Sequence, residues 1–300
     1  MKIKYLTFEI AQNCNMDCEF CFSFWREEKN ELNTNQVKEI IELMRKRGLE
    51  AINFTGGEPL LRPDISELLK YSKGLGLTTI LSTNGILLKK RIEEIADYVD
   101  FIGLPLDSSI AKDHNAIRPI KSRDAKNSKN SEMNNKNSLN HFEHFCELLD
   151  LINLKFPHIG IKINTIVTKQ NKESVCDIGK IIEGKVISWK LSHFIASGYG
   201  KNFEEKYAIS KEEYLEVREE CIAKNKEINI IATTAHERND CCRIISTNGD
   251  FIKPTKEGLV NLGSVFEINE KELSQGFDDK KNEFFLKKTY TGNKAIGESQ

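Results

Sequence analysis

Cys14-Asn15-Met16-Asp17-Cys18-Glu19-Phe20-Cys21 decides how the rest of this chain is read. Three thiolates spaced C-x3-C-x2-C in one loop can wrap a corner of an iron–sulfur cube and leave its fourth iron without a protein ligand. An open iron implies chemistry. A structural zinc site needs a fourth Cys or His close by, and the next histidine, His114, lies far along the chain. A disulfide framework is disfavoured, because the eight cysteines lie among 300 residues with no paired spacing and no signal peptide. Buried cysteines that fall at this spacing by coincidence are the plain alternative.

Outward from the loop, the apolar run Ala51-Ile52-Asn53-Phe54 leads through Thr55 into Gly56-Gly57-Glu58-Pro59. Two glycines allow backbone to approach a ligand closely, and a carboxylate beside them can answer an ammonium. Taken alone, the same four residues also make an ordinary strand-to-helix turn. Further strand-like runs fall at Thr78–Ser82, Phe101–Leu106, Ile159–Val167 and Val186–Ile195. Apolar residues at helical spacing separate them: Val37, Ile40, Ile41 and Met44, closed by Gly48; then Ile65, Leu68 and Leu69; Ile92, Ile95 and Ala96; and Phe142, Phe145, Cys146 and Leu149. With the opening strand Ile3–Ile10, about six β–α steps emerge, which predicts an α/β fold in which a parallel sheet curls into a partial (β/α)6 barrel. Ligands gather at the carboxyl ends of such strands, where the cysteine loop and the Gly-Gly-Glu-Pro turn both fall.

Lys and Arg number 44 against 45 Asp and Glu, a net charge of −1. That balance offers no electrostatic footprint for nucleic acid or an anionic membrane. With 39% hydrophobic residues the chain can bury a core, and no apolar stretch approaches a membrane span. The first residues read as a strand rather than a leader, so a cytoplasmic protein is expected. The predicted organisation is a barrel core over 1–200 and a C-terminal extension over 201–300 that covers the site. Within the core, 121–140 is rich in Ser, Asn and Lys and reads as a flexible insertion. Beyond it, Ser210–Lys224 reads as a helix, and Asn248-Gly249 as a hairpin turn between two short strands. Cys146, Cys176, Cys221 and the adjacent Cys241 and Cys242 form no second ligand ladder, so buried core cysteines are expected there and not an auxiliary cluster.

The cysteine loop, with Phe20 before its last cysteine, resembles the signature of the radical S-adenosylmethionine (radical SAM) enzymes. The resemblance implies a [4Fe–4S] cluster held by Cys14, Cys18 and Cys21, with SAM chelating the fourth iron. It further implies that Phe20 lies beside the adenine and that Gly56, Gly57, Glu58 and Pro59 receive the methionine amino group. Ser82, Asn84 and Arg118 complete the implied SAM site, Arg118 as partner of the SAM carboxylate.

Across nearly the whole chain the sequence is similar to viperin and its prokaryotic relatives. The segments that carry this are Asn13–Phe22, Ala51–Pro59, Ile161–Val167, Ser188–Leu191 and Gly276–Tyr290. Viperins dehydrate a nucleoside triphosphate to its 3′-deoxy-3′,4′-didehydro form, an antiviral chain terminator. The resemblance therefore implies such a substrate (CTP, UTP or GTP) and an electron donor such as flavodoxin or ferredoxin. Lys162, Asn164 and Lys190 match the family's triphosphate-binding Lys, Asn and Lys, and Thr55 stands at its small hydroxyl residue. These side chains are expected to project from neighbouring strand ends. The sequence departs from the family at Ser188, which replaces an arginine, at Pro105, which replaces a serine, and over Asp240–Arg243, which lack a tyrosine. Another single-cluster radical SAM enzyme, acting on a peptide, a cofactor precursor or a tRNA base, fits the core residues equally.

Overall fold

A computed structural model describes residues 3–22, 30–121, 140–234, 237, 242–255, 258–269 and 277–290. Most of the 121–140 insertion, Cys241 and the start of the Gly276–Tyr290 segment lie outside them. Strands β1 (Tyr5–Ala11), β2 (Ala51–Gly56), β3 (Thr78–Ser82), β4 (Phe101–Pro105), β5 (Gly160–Val167), β6 (Ser188–His193) and β7 (Ile230–Thr233) pair in parallel, each with the next. The outer edge of β1 takes β8 (Ile244–Ile245) in parallel, and antiparallel β9 (Asp250–Thr255) and β10 (Gly258–Ser264) extend the sheet. The order is therefore β10-β9-β8-β1-β2-β3-β4-β5-β6-β7, and the strands after residue 201 continue the core sheet at both of its edges.

The crossovers are helical where the apolar period is 3.6. Helix α1 (Thr34–Lys46) starts at a capping box, in which the Asn33 side chain accepts from the Gln36 amide and the Gln36 side chain accepts from the Asn33 amide. It buries Val37, Ile40, Ile41 and Met44 on one stripe and stops at Gly48, whose φ of 94° suits glycine. Helices α2 (Ile65–Gly74), α3 (Leu88–Ile95), α4 (Ala111–Ile117) and α5 (His141–Lys155) follow the same logic. After them come the single turns α6 (Gly179–Ile182) and α7 (Glu204–Tyr207), then α8 (Lys211–Lys224), capped by Ser210. The expected hairpin is present, with Gly249 at φ 89° between β8 and β9. No helix among the described residues is long and apolar enough to cross a membrane.

Alternation along the strands divides two interiors. Leu6, Phe8, Phe54, Leu81, Ile102, Ile163, Trp189 and Leu191 belong to the large core outside the sheet, with the apolar stripes of the helices. The lumen begins with Tyr5, Ala51 and Phe101, each the first residue of its strand, packed with Ile80. Helix α9 (Asp279–Tyr290) inserts Leu286 and Tyr290 into that floor. It is held by the Ser188 hydroxyl, which donates to the Thr289 carbonyl (2.8 Å), and by the Asn229 side-chain amide, which donates to the Lys288 carbonyl (2.9 Å).

One expectation is overturned. Cys176 and Cys221 are not separate core thiols but a disulfide pair, joining the 3-10 turn Val175–Ile178 to α8. Their separation of 45 residues gave no local spacing signal, and they meet because the turn and α8 pack side by side.

Candidate active site

The cysteine loop leaves the carboxyl end of β1 and is shaped by backbone from two distant segments. The amide of Gly57 donates to the Ala11 carbonyl (2.6 Å), and that of Glu58 to the Asn13 carbonyl (2.8 Å). Gly56 has φ 136°, and a Cβ there would stand 2.3 Å from the Ala11 carbonyl oxygen; one on Gly57 would stand 2.4 Å from that of Asn13. These glycines thus let chain approach chain, seating the turn on the cysteine loop itself. From the other side the Gly200 amide donates to the Cys21 carbonyl (2.8 Å), and a Cβ on Gly200 would lie 2.9 Å from the carbonyl oxygen of Phe20.

Cys18 is buried, and Cys14 and Cys21 are partly exposed. They share one apolar cluster with Met16, Phe20, Ile117, Phe194 and Tyr207. Burial pushes the Cys18 thiol up to about 12, the Arg118 charge opposing it and the neighbouring Cys21 and Cys14 adding to it. Burial raises Cys14 as well, and Cys21 contributes in the same direction. Among the described residues no three Cys, His, Asp or Glu side chains are gathered as an ion-holding group. The donor set nevertheless fits an iron–sulfur corner: three soft sulfur ligands within electrostatic reach of one another on one loop, whose deprotonation metal binding would drive.

Glu58 sits fully buried behind that loop. Its carboxylate accepts from the Thr83 hydroxyl (2.6 Å), the Asn84 amide (2.8 Å) and the Leu60 amide (3.0 Å). Burial still dominates and pushes its carboxyl up to about 7. Asn84 ties the turn back to the loop, its side-chain amide donating to Asn15 Oδ1 (2.6 Å) and standing 3.8 Å from Cys14 Sγ. Across the site, Arg118 pairs with the buried Asp107 and lies 5.0 Å over the Phe20 ring. Phe20 itself meets Tyr207 edge-on at 5.9 Å. Of the implied SAM residues, the structure thus joins Gly57, Glu58 and Asn84 to the start of the cysteine loop on one wall, and Arg118 to Phe20 near the loop's end on the other. Pro59 opens a short 3-10 turn behind them.

Ser82 stands apart, inside the lumen, where its hydroxyl donates to Asn53 (2.9 Å). A Cβ on Gly103 would meet Asn164 Nδ2 at 2.9 Å, Ser82 Oγ at 3.1 Å and Lys162 Cε at 3.7 Å, so three polar side chains converge over that glycine. The expectation that Lys162, Asn164 and Lys190 project from strand ends is corrected. Lys162 is the third residue of the eight in β5, Lys190 the third of the six in β6 and level with Asn164, and all lie within the sheet. Lys162 is 5% exposed and donates to the Tyr290 hydroxyl (3.1 Å). Lys162 and Lys190 line a small pocket together with Tyr5, Thr233, Asn282 and Tyr290. Thr55 lies level with Glu9 on the neighbouring strand.

Sequence reasoning missed several of these groups. Asp107 is absent from the candidate residues, yet it is the partner of Arg118. Glu9 and Asn53 are buried polar residues inside apolar runs, a signal visible in the sequence. The contribution of α9 to the pocket had no local signal.

With a partly closed parallel barrel and three cysteines at its open end, the chain belongs to the radical SAM superfamily, whose family model matches residues 8–180. Enzymes of that superfamily use SAM and a [4Fe–4S] cluster. It is 31% identical to an S-adenosylmethionine-dependent nucleotide dehydratase of Flammeovirga pacifica, over 71% of each chain. A protein of the same name from Lacinutrix mariniflava is 30% identical over 71% of this chain and 43% of its own, so the chain spans less than half of that relative. Among solved structures, Streptococcus suis SuiB bound to its precursor peptide SuiA is similar in fold, with a TM-score of 0.69 at 18% identity over 95% of this chain and 66% of that one.

Proposed function

We propose that this radical SAM enzyme is a viperin-like dehydratase that removes water from a nucleoside triphosphate, giving the 3′-deoxy-3′,4′-didehydro nucleotide. The observation that carries the reading is the polar lumen below the cysteine loop, in which Lys162, Asn164 and Lys190 converge. When bound, the cluster and SAM supply the radical that takes the ribose 4′ hydrogen. The chain's own part is placement. Lys162 and Lys190 supply charge for phosphate oxygens, Asn164 and Thr55 supply neutral donors, and the aromatic floor of Tyr5, Phe101 and Tyr290 fixes how deep the phosphates reach. The Gly56–Pro59 turn receives the SAM ammonium and Arg118 its carboxylate, with Phe20 against the adenine. A flavodoxin or ferredoxin delivers the electron.

Ser188 explains one departure from the family pattern. It is fully buried and bonded to α9, so an arginine there would displace the helix, and phosphate charge in this chain falls to the two lysines. The deciding experiment incubates reconstituted protein with SAM, dithionite and each of the four ribonucleoside triphosphates. A triphosphate-dependent rise in 5′-deoxyadenosine together with a product lighter by one water is expected; the absence of both with every triphosphate defeats the proposal.

A further inference from the structure

Behind the two walls of the SAM site runs a chain of hydrogen bonds whose direction is fixed. The Asp107 backbone amide, which can only donate, points at Nδ1 of His114 (3.1 Å). That nitrogen is therefore the acceptor, and the proton of a neutral His114 ring sits on Nε2. His114 Nε2 lies 2.7 Å from Nδ1 of His141, which must accept in turn. His141 Nε2 then carries a proton toward the Asn84 carbonyl (2.8 Å), an obligate acceptor. One arrangement of protons satisfies every link, and it leaves both rings neutral. His114 is fully buried and His141 nearly so. Their rings are nearly parallel at 4.9 Å, and Phe142 closes on His114 edge-on at 6.0 Å.

The ends of this chain are what give it meaning. Asp107 is the ion-pair partner of Arg118, and Asn84 is the residue that joins Glu58 to Asn15 and Cys14. The helices that carry the two histidines are clamped independently: Asn115 of α4 donates to Asn140 (2.7 Å), and accepts from the amide of Phe142 at the start of α5 (3.0 Å). We propose that His114 and His141 are positioning residues, a neutral one-way strut that, together with the backbone pairs from the Asp17 amide to the Pro119 carbonyl and from the Lys121 amide to the Asn15 carbonyl, fixes the distance between the Glu58–Asn84 wall and the Asp107–Arg118 wall and so the tightness of SAM binding. The proposal rests on the assignment of SAM to those two walls. Burial supports it by holding the rings unprotonated, His114 down to about 2 and His141 down to about 4, so the strut is intact across the physiological range.

The test is equilibrium binding of SAM, by calorimetry, to anaerobic protein carrying the oxidised cluster, with no reductant present and hence no turnover. A carboxamide accepts at one end and donates at the other with nearly the spacing of the imidazole nitrogens, so His141→Gln is expected to bind SAM within about twofold of the unaltered protein, while His141→Leu loses about tenfold, the value of one hydrogen bond. Iron content and melting temperature accompany each measurement. A folded, cluster-loaded His141→Leu that binds SAM as the unaltered protein does overturns the strut, and so does a His141→Gln that loses as much as His141→Leu, since ring packing would then be the role. If the leucine variant does not fold, the unaltered protein decides: nitrogen NMR must find the His114 proton on Nε2, and a proton on Nδ1 overturns the proposal. Unaltered protein that binds no SAM defeats the site assignment itself, an outcome distinct from unchanged binding in the leucine variant.

Discussion

Cys18→Ala removes the central thiol of the loop, and on the proposed cluster assignment we expect it to abolish both the cluster absorbance and SAM cleavage. Lys190→Ala leaves the loop untouched. Its expected effect is a rise in KM for the nucleotide of about tenfold to a hundredfold, the weight of one charged hydrogen bond, with iron content unchanged; unaltered nucleotide kinetics would remove Lys190 from the site. Glu58 and the two buried histidines make opposite contributions to stability with pH. Glu58 is pushed up to about 7, so the folded state holds a proton that the unfolded chain releases above its ordinary value, and stability falls as pH rises toward 7. His114 and His141, faced by Arg118, His144 and Asp107, are pushed down, so the unfolded chain binds the extra protons and stability falls as pH drops below 6.5. The two trends oppose one another through pH 6.5–7.5 as well, because the unfolded histidines are still half protonated at pH 6.5. Urea unfolding of the cluster-free protein between pH 6.5 and 7.5 should therefore be nearly flat, and Glu58→Gln should leave a stability that rises with pH. The cysteine loop and the Gly56–Pro59 turn stand out in the sequence because each is a short contiguous motif, and the fold seats one on the other. The tautomers of His114 and His141 do not, because they follow from a backbone amide and a carbonyl that only the fold brings to the rings.

At the level of elements, β1 to β6 and helices α1, α2, α3 and α5 were readable from their periods, whereas β7 and α4 were not, and the hairpin at Gly249 sits where the residues put it. Helix α9 shows where that reading stops. Its sequence marks an amphipathic segment, but its place in the barrel floor depends on contacts such as Tyr290 with Lys162, 128 positions away. Tyr290→Phe keeps the ring packing against Phe101 and Tyr5 while removing the acceptor for a buried ammonium. We expect it to cost about 1–3 kcal/mol in denaturant unfolding. A neutral result would show that Lys162 finds another acceptor in the pocket. The disulfide between the 175–178 turn and α8 was hidden for the same reason, since neither cysteine has a neighbour in sequence that announces its partner.

Taken whole, the molecule is one sheet whose two edges are both finished by residues after 201, with α9 wedged against the barrel floor. The radical SAM match ends at residue 180, short of Ser188, Lys190 and Gly200. The contact of Gly200 with the backbone of Phe20 and Cys21 has a consequence for the life of the chain. All three thiols leave the ribosome early, but one of the two segments that shape their loop follows only after two hundred residues have been made. On the proposed assignment of the cluster to these thiols, we expect iron to be loaded late. A fragment ending at residue 180 should therefore contain all three thiols and still retain far less iron after anaerobic reconstitution than the full chain.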